Sequence, residues 1–119
     1  MIGLPSSVRI FLAPEPTDLR RGFDGLAGLV RRAGGDPFSG HLFAFVSKRG
    51  DRIKLLTWDR GGFVLWYKRL ERGHFPLPAV PPSGPTWTLD ASQLGLLLDG
   101  FDFTKVTRPT RWEPVPRAA

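Results

Sequence analysis

The chain contains no cysteine, so disulfide staples, thiol catalysis and thiolate metal sites are excluded. It has two histidines, His41 and His74, and neither sits in a motif. A two-histidine zinc site without cysteine would be unusual. No apolar run approaches the roughly 20 residues needed to cross a bilayer. The opening MIGLPSSVRIFLAPEP lacks the basic end and long apolar core of a signal peptide. These absences point to a cytoplasmic protein with no membrane partner. No Gly-x-x-x-x-Gly-Lys-Ser/Thr loop is present to cradle a nucleoside triphosphate, and no Gly-x-Ser-x-Gly elbow to present a serine nucleophile.

Acid is also scarce, with 11 Asp and Glu against 17 Lys and Arg in 119 residues, a formal charge of +6 and a pI near 10.8. A pI above about 9 is the electrostatic footprint of a nucleic-acid binder. Thirteen of the cations are arginine. Arginine suits bidentate phosphate contacts, although a GC-rich coding bias produces the same count. The excess is local. Residues 48–72 carry eight basic and three acidic side chains, residues 105–119 four and one, and the remainder five and seven.

The acids fall where turns and caps want them. Asp36, Asp51 and Asp59 lie in turn sequences, and Asp90 precedes a helical stretch. Asp18 and Asp24 are six residues apart and do not share a helical face well. The sequence offers no catalytic constellation, no metal ligand set and no call for a cofactor. Metal-dependent nuclease chemistry, which clusters carboxylates around paired ions, is the weakest of the readings weighed.

Twelve prolines and fourteen glycines keep the elements short. Val8 to Ala13 reads as a first strand, ended by Pro14-Glu15-Pro16. Asp18 to Arg32 reads as a helix capped by Thr17 or Asp18, with Phe23, Leu26, Leu29 and Val30 at helical spacing and Phe23 and Leu26 buried. Its glycines Gly22, Gly25 and Gly28 recur every third residue, the pattern of a smooth face against which another backbone packs. Gly34-Gly35 stops it. Leu42 to Val46, Arg52 to Trp58 and Phe63 to Leu70 follow as three strands, separated by the turns Lys48-Arg49-Gly50-Asp51 and Asp59-Arg60-Gly61-Gly62. Five prolines between Pro76 and Pro85 make a surface connection. Trp87 to Leu89 is a short edge strand. Asp90 with Gln93 forms a capping box for a helix with a Leu94, Leu97, Leu98 stripe, and Gly100 stops it. The expected fold is one small α+β domain over residues 1–104, an antiparallel β-meander packed against two short helices. Residues 105–119 are expected to form a basic, proline-rich flexible tail.

Strand alternation then assigns faces. Arg52, Lys54, Tyr67 and Arg69 fall on one side of the meander, where cations supply phosphate contacts and a tyrosine stacks on a base. The ordinary alternative is a solvated sheet face, where Lys and Arg are common. Pattern alone leaves the two even, and the pI favours binding. The nucleic-acid-binding candidates are Arg49, Arg52, Lys54, Tyr67, Lys68, Arg69 and Arg72. Strict alternation puts Lys68 on the Trp66 side, near enough to the strand's end to reach water. Trp58 and Trp66 are expected in the core.

Many short motifs in this order resemble one family. They include Thr17-Asp18-Leu19-Arg20-Arg21-Gly22-Phe23-Asp24-Gly25-Leu26, Asp36-Pro37-Phe38-Ser39-Gly40-His41-Leu42-Phe43, Trp58-Asp59 and Lys68-Arg69-Leu70-Glu71-Arg72-Gly73-His74-Phe75. Over residues 1 to 103 the chain is similar to the small accessory proteins called TnpB in bacterial insertion sequences of the sixty-six type, a name shared with an unrelated RNA-guided nuclease. It departs from them after Phe75, where the family often has Trp-Pro and this chain reads Pro76-Leu77-Pro78. The tail beyond Val106 has no counterpart in the resemblance. The resemblance implies a non-enzymatic protein encoded beside a transposase and a second accessory protein, assisting transposition by binding the element's DNA ends or assembling the complex. The alternative is a protein–protein adaptor for the transposase with no direct DNA contact.

Overall fold

The computed structural model describes residues 4, 5 and 7–105; the expected basic, proline-rich tail lies outside the described residues apart from Lys105. In chain order the elements are β1 (Ile10–Leu12), α1 (Phe23–Arg32), β2 (Leu42–Val46), β3 (Arg52–Asp59), β4 (Gly62–Arg69), β5 (Trp87–Leu89) and α2 (Ala91–Leu98). The strands form one five-stranded sheet in the order β4-β3-β2-β1-β5.

The α+β class holds, and β2, β3 and β4 form the expected antiparallel meander. The sheet as a whole is mixed, because β1 pairs with β2 in parallel, Ile10 opposite Leu42 and Leu12 opposite Ala44. The reason is topological. The segment that includes α1 carries the chain back to the end where β1 began, so β2 must run the same way as β1. An isolated bridge, Thr17 to Ser47, prolongs this parallel contact, and Thr17 N–H donates to the Val46 carbonyl at 2.8 Å.

Alternation along the strands sends apolar side chains to both faces. Ile10, Leu12, Leu42, Ala44, Val46, Ile53 and Leu55 meet Leu94, Leu97 and Leu98 of α2 on one face. Phe43, Phe45 and Leu56 meet Leu26, Ala27 and Val30 of α1 on the other. Each fully buried Leu or Ile contributes about 1.5–3 kcal/mol relative to exposure, so both layers are needed to stabilise so small a sheet. The connection from Pro76 to Pro85 is less superficial than its prolines imply, since Leu77 packs against the α2-side core and Pro78 is buried.

Helix α2 is as expected. Asp90 accepts from the Gln93 backbone N–H at 2.7 Å, and the Gln93 side chain accepts from the Asp90 N–H at 2.9 Å. Gly100 follows in the left-handed conformation that ends it, φ 87°.

Helix α1 differs. It starts at Phe23 rather than Asp18, and its N-cap, Gly22, makes no side-chain capping bond. Asp18 instead holds Arg20 in a turn, its carboxylate accepting from the Arg20 backbone and guanidinium. Phe23 is 45% exposed while Leu26 is fully buried. The three glycines do not seat another backbone. A methyl group added at Gly22 or Gly28 would meet nothing within 4 Å, and one at Gly25 would meet only the Arg21 side chain.

Candidate nucleic-acid interface

The β3–β4 hairpin carries most of the candidate residues, and its register settles their faces. Arg52 lies opposite Arg69 and Lys54 opposite Tyr67, so these four do share one face. That face is not uniformly open.

Lys54 is 8% exposed. Its ammonium donates to the Leu19 carbonyl at 2.7 Å and the Arg21 carbonyl at 3.1 Å. It also lies 5.1 Å from the centre of the Tyr67 ring. The turn ahead of α1 therefore closes over Lys54 and uses it as a tie, which removes it from the solvent-facing set. Lys68, on the opposite face, is half-buried and donates to the Leu98 carbonyl at 2.8 Å. A cation there satisfies a terminal carbonyl of α2 and complements the helix dipole. Both lysines are structural in this fold. Tyr67 remains 48% exposed.

The other candidates converge at the open end of the hairpin. The β2–β3 turn holds Lys48 and Arg49, both exposed. The chain leaving β4 returns to this turn: Leu70 N–H donates to the Asp51 carbonyl and Phe75 N–H to the Gly50 carbonyl, each at 2.7 Å. His74 packs there too, its ring 3.1 Å from where a Gly50 side chain would begin. Lys48, Arg49, Arg52, Arg69 and Arg72 are thereby gathered against two acids, Asp51 and Glu71. Glu71 is taken up by Arg69 at 3.0 Å, an exposed pair of small energetic weight. Asp51 accepts a long bond from the Ser47 hydroxyl, 3.4 Å. Arg52 faces a like charge across the strands, which is unfavourable, and its Nε is buried with no hydrogen-bond partner among the described residues.

Beside this cluster lies Asp18, whose hydrogen bonds from Arg20 hold its carboxyl far below the usual carboxylate range, with Lys48 adding to the effect. A cleft of about 550 Å³ opens next to it, with Phe11, Leu29 and Phe43 inside and Arg21 and Lys48 among its lining.

The hairpin's closed end is a different surface. Arg60 and Gly61 form the two-residue turn, both with positive φ, 43° and 85°. Trp58, Phe63 and Phe38 pack ring to ring there at 5.0–5.3 Å, and the Arg31 guanidinium lies 5.6 Å over Phe38. Trp58 is thus half-buried in a surface cluster rather than a core anchor, and Trp66 is half-buried at the margin of the α2-side core. Eight-residue strands put the two ends about 25 Å apart, so the basic stretch 48–72 is not one patch. Lys48, which is not among the sequence candidates, joins the open-end cluster; the Gly50–Phe75 backbone contact that assembles the cluster has no signature in the sequence.

The profile of the IS66 Orf2-like proteins matches residues 8–108. The chain belongs to this family. Two similar proteins come from Sinorhizobium fredii (strain NBRC 101917 / NGR234), both bearing names that assign no activity. The uncharacterized protein y4jC is 39% identical over 98% of this chain and 96% of its own length. The uncharacterized protein y4hO is 36% identical over 91% of this chain and 97% of its own length. No solved structure matches. Family membership makes the chain an accessory protein associated with transposition. Among the described residues, no group of three or more His, Asp or Glu side chains is placed to hold a metal ion, and no helix is long and apolar enough to cross a membrane.

Proposed function

We propose that this protein is a non-catalytic, cytoplasmic accessory of transposition that binds DNA directly, gripping the phosphate backbone with the open end of the hairpin. Lys48, Arg49 and Arg72 make the outer contacts in this reading, and the Arg52–Arg69 pair the inner ones. Tyr67 lies on the same face and is available to a base or sugar. The observation that carries the reading is the meeting of exposed Lys48, Arg49 and Arg72 where the Leu70–Asp51 and Phe75–Gly50 backbone bonds bring two loops together. Phosphate oxygens are the partners that exposed, clustered cations of this kind suit. The element's DNA ends are the proposed substrate, with the transposase and the second accessory protein as neighbours in the complex.

The second reading is an adaptor for the transposase, in which an acidic protein surface meets the same cations. Fluorescence anisotropy with end-sequence DNA, alone and then with transposase, separates the two. Direct binding should weaken as salt rises, with a log–log slope of about −0.9 for each phosphate neutralised, so roughly −4 to −5 for the five cations of this cluster. Binding seen only in the presence of transposase would favour the adaptor.

A further inference from the structure

Strand β4 lies at the edge of the sheet, and no described strand pairs with its outer side. Its residues Phe63-Val64-Leu65-Trp66-Tyr67 are five consecutive apolar side chains, uninterrupted by proline or charge. Long apolar edges are templates for strand addition, and natural proteins usually blunt them. Here the charged residues Lys68 and Arg69 come only at the strand's end.

We propose that β4 pairs with β4 of a second copy of this chain, antiparallel about a two-fold axis at Leu65. The backbone fixes which groups are free. Leu70 donates toward β3, at the Asp51 carbonyl. By antiparallel alternation the even-numbered residues of β4 bond to β3, and Phe63, Leu65, Tyr67 and Arg69 turn their N–H and C=O groups outward. A two-fold axis at Leu65 matches outward groups to outward groups: Leu65 to Leu65, Phe63 to Tyr67 and Tyr67 to Phe63. The same register sets Val64 against Trp66. It sets Lys68 against Gly62 and Arg69 against Gly61, so no cation of either strand meets another. Moving the axis to Trp66 puts Phe63 against Arg69 and Val64 against Lys68. Moving it to Val64 brings Arg60 against Lys68. The apolar run is thus self-complementary in one register, as a two-fold interface requires.

The absence of cysteine makes the test clean. Directly opposed residues of a hydrogen-bonded pair have Cα atoms about 5.5 Å apart, within disulfide range. Leu65→Cys should therefore cross-link two chains on mild oxidation. Val64→Cys should not, because the two Val64 positions are diagonal neighbours about 7–8 Å apart. Sedimentation of the unmodified protein should give about twice its 13.2 kDa mass up to the high micromolar range. A monomer throughout that range would overturn the proposal whatever the cysteine variants do. So would a dimer in which Val64→Cys cross-links as readily as Leu65→Cys.

Discussion

The paired strands of the β3–β4 hairpin and the loops beyond its open end carry cations of the same sequence type with opposite uses. Within the paired strands, Lys54 and Lys68 point to opposite faces and each reaches a backbone carbonyl some thirty residues away, Leu19 on one side and Leu98 on the other. They tie the α1 turn and α2 to the sheet. At the open end, Lys48, Arg49 and Arg72 are exposed, and the two nearby acids have other partners. A positive charge in this protein is therefore structural where a helix terminus or turn crosses the sheet, and available for binding where two loops meet beyond it.

The comparison breaks first, if it breaks, at Lys54. Lys54→Ala should cost about 2–3 kcal/mol, because it strands two carbonyls under the α1 turn. That corresponds to a fall of roughly 10 °C or more in Tm, read by circular dichroism. Lys68→Ala should cost less, about 1 kcal/mol, since its carbonyl partner lies at a half-buried helix end. Equal, negligible losses for both would erase the distinction between the two regions.

A gain is expected at the closed end. Arg60 sits in the left-handed region that favours Asn or Gly in such turns. Arg60→Asn should stabilise by up to about 1 kcal/mol and leave the open-end cluster untouched. The smallest effect concerns Asp18. Its folded pKa is depressed by Arg20, so its contribution is present above its ordinary value of 3.8 and is lost as pH falls. Asp18→Asn should slightly lower stability near neutrality and converge with the parent as pH falls, so that its loss on acidification is flatter, in melts taken across acid pH.

The limits of sequence reading follow the same division. Local features were legible: the Asp90–Gln93 box, the bounds of β2 and β5, and the hairpin register all rest on neighbours in the chain. The parallel β1–β2 pairing was implicit in the strand–helix–strand order but hidden by the shortness of β1, three residues. Alternation placed Lys54 on the correct face. It could not say that residues 17–22 would fold over that face, because the contact joins positions 33 to 35 apart. Phe23 and Asp18 were misplaced for a related reason: a helical period was extended upstream through Arg20-Arg21-Gly22, where the Asp18–Arg20 contact forms a turn instead. Of the candidate interface, Arg49, Arg69 and Arg72 are exposed as a binding role needs, whereas Lys54 and Lys68 are committed to the fold.

The central claim is that the open end, rather than the hairpin as a whole, meets DNA. Its direct test is anisotropy with end-sequence duplex at moderate salt, using the triple variant Lys48→Ala, Arg49→Ala, Arg72→Ala. The account predicts an unchanged melting curve, since exposed charges contribute little to stability. It also predicts affinity lower by at least about tenfold and a log–log salt slope shallower by roughly 2 to 3. A folded triple variant that binds as tightly as the parent, with the same salt slope, would contradict it.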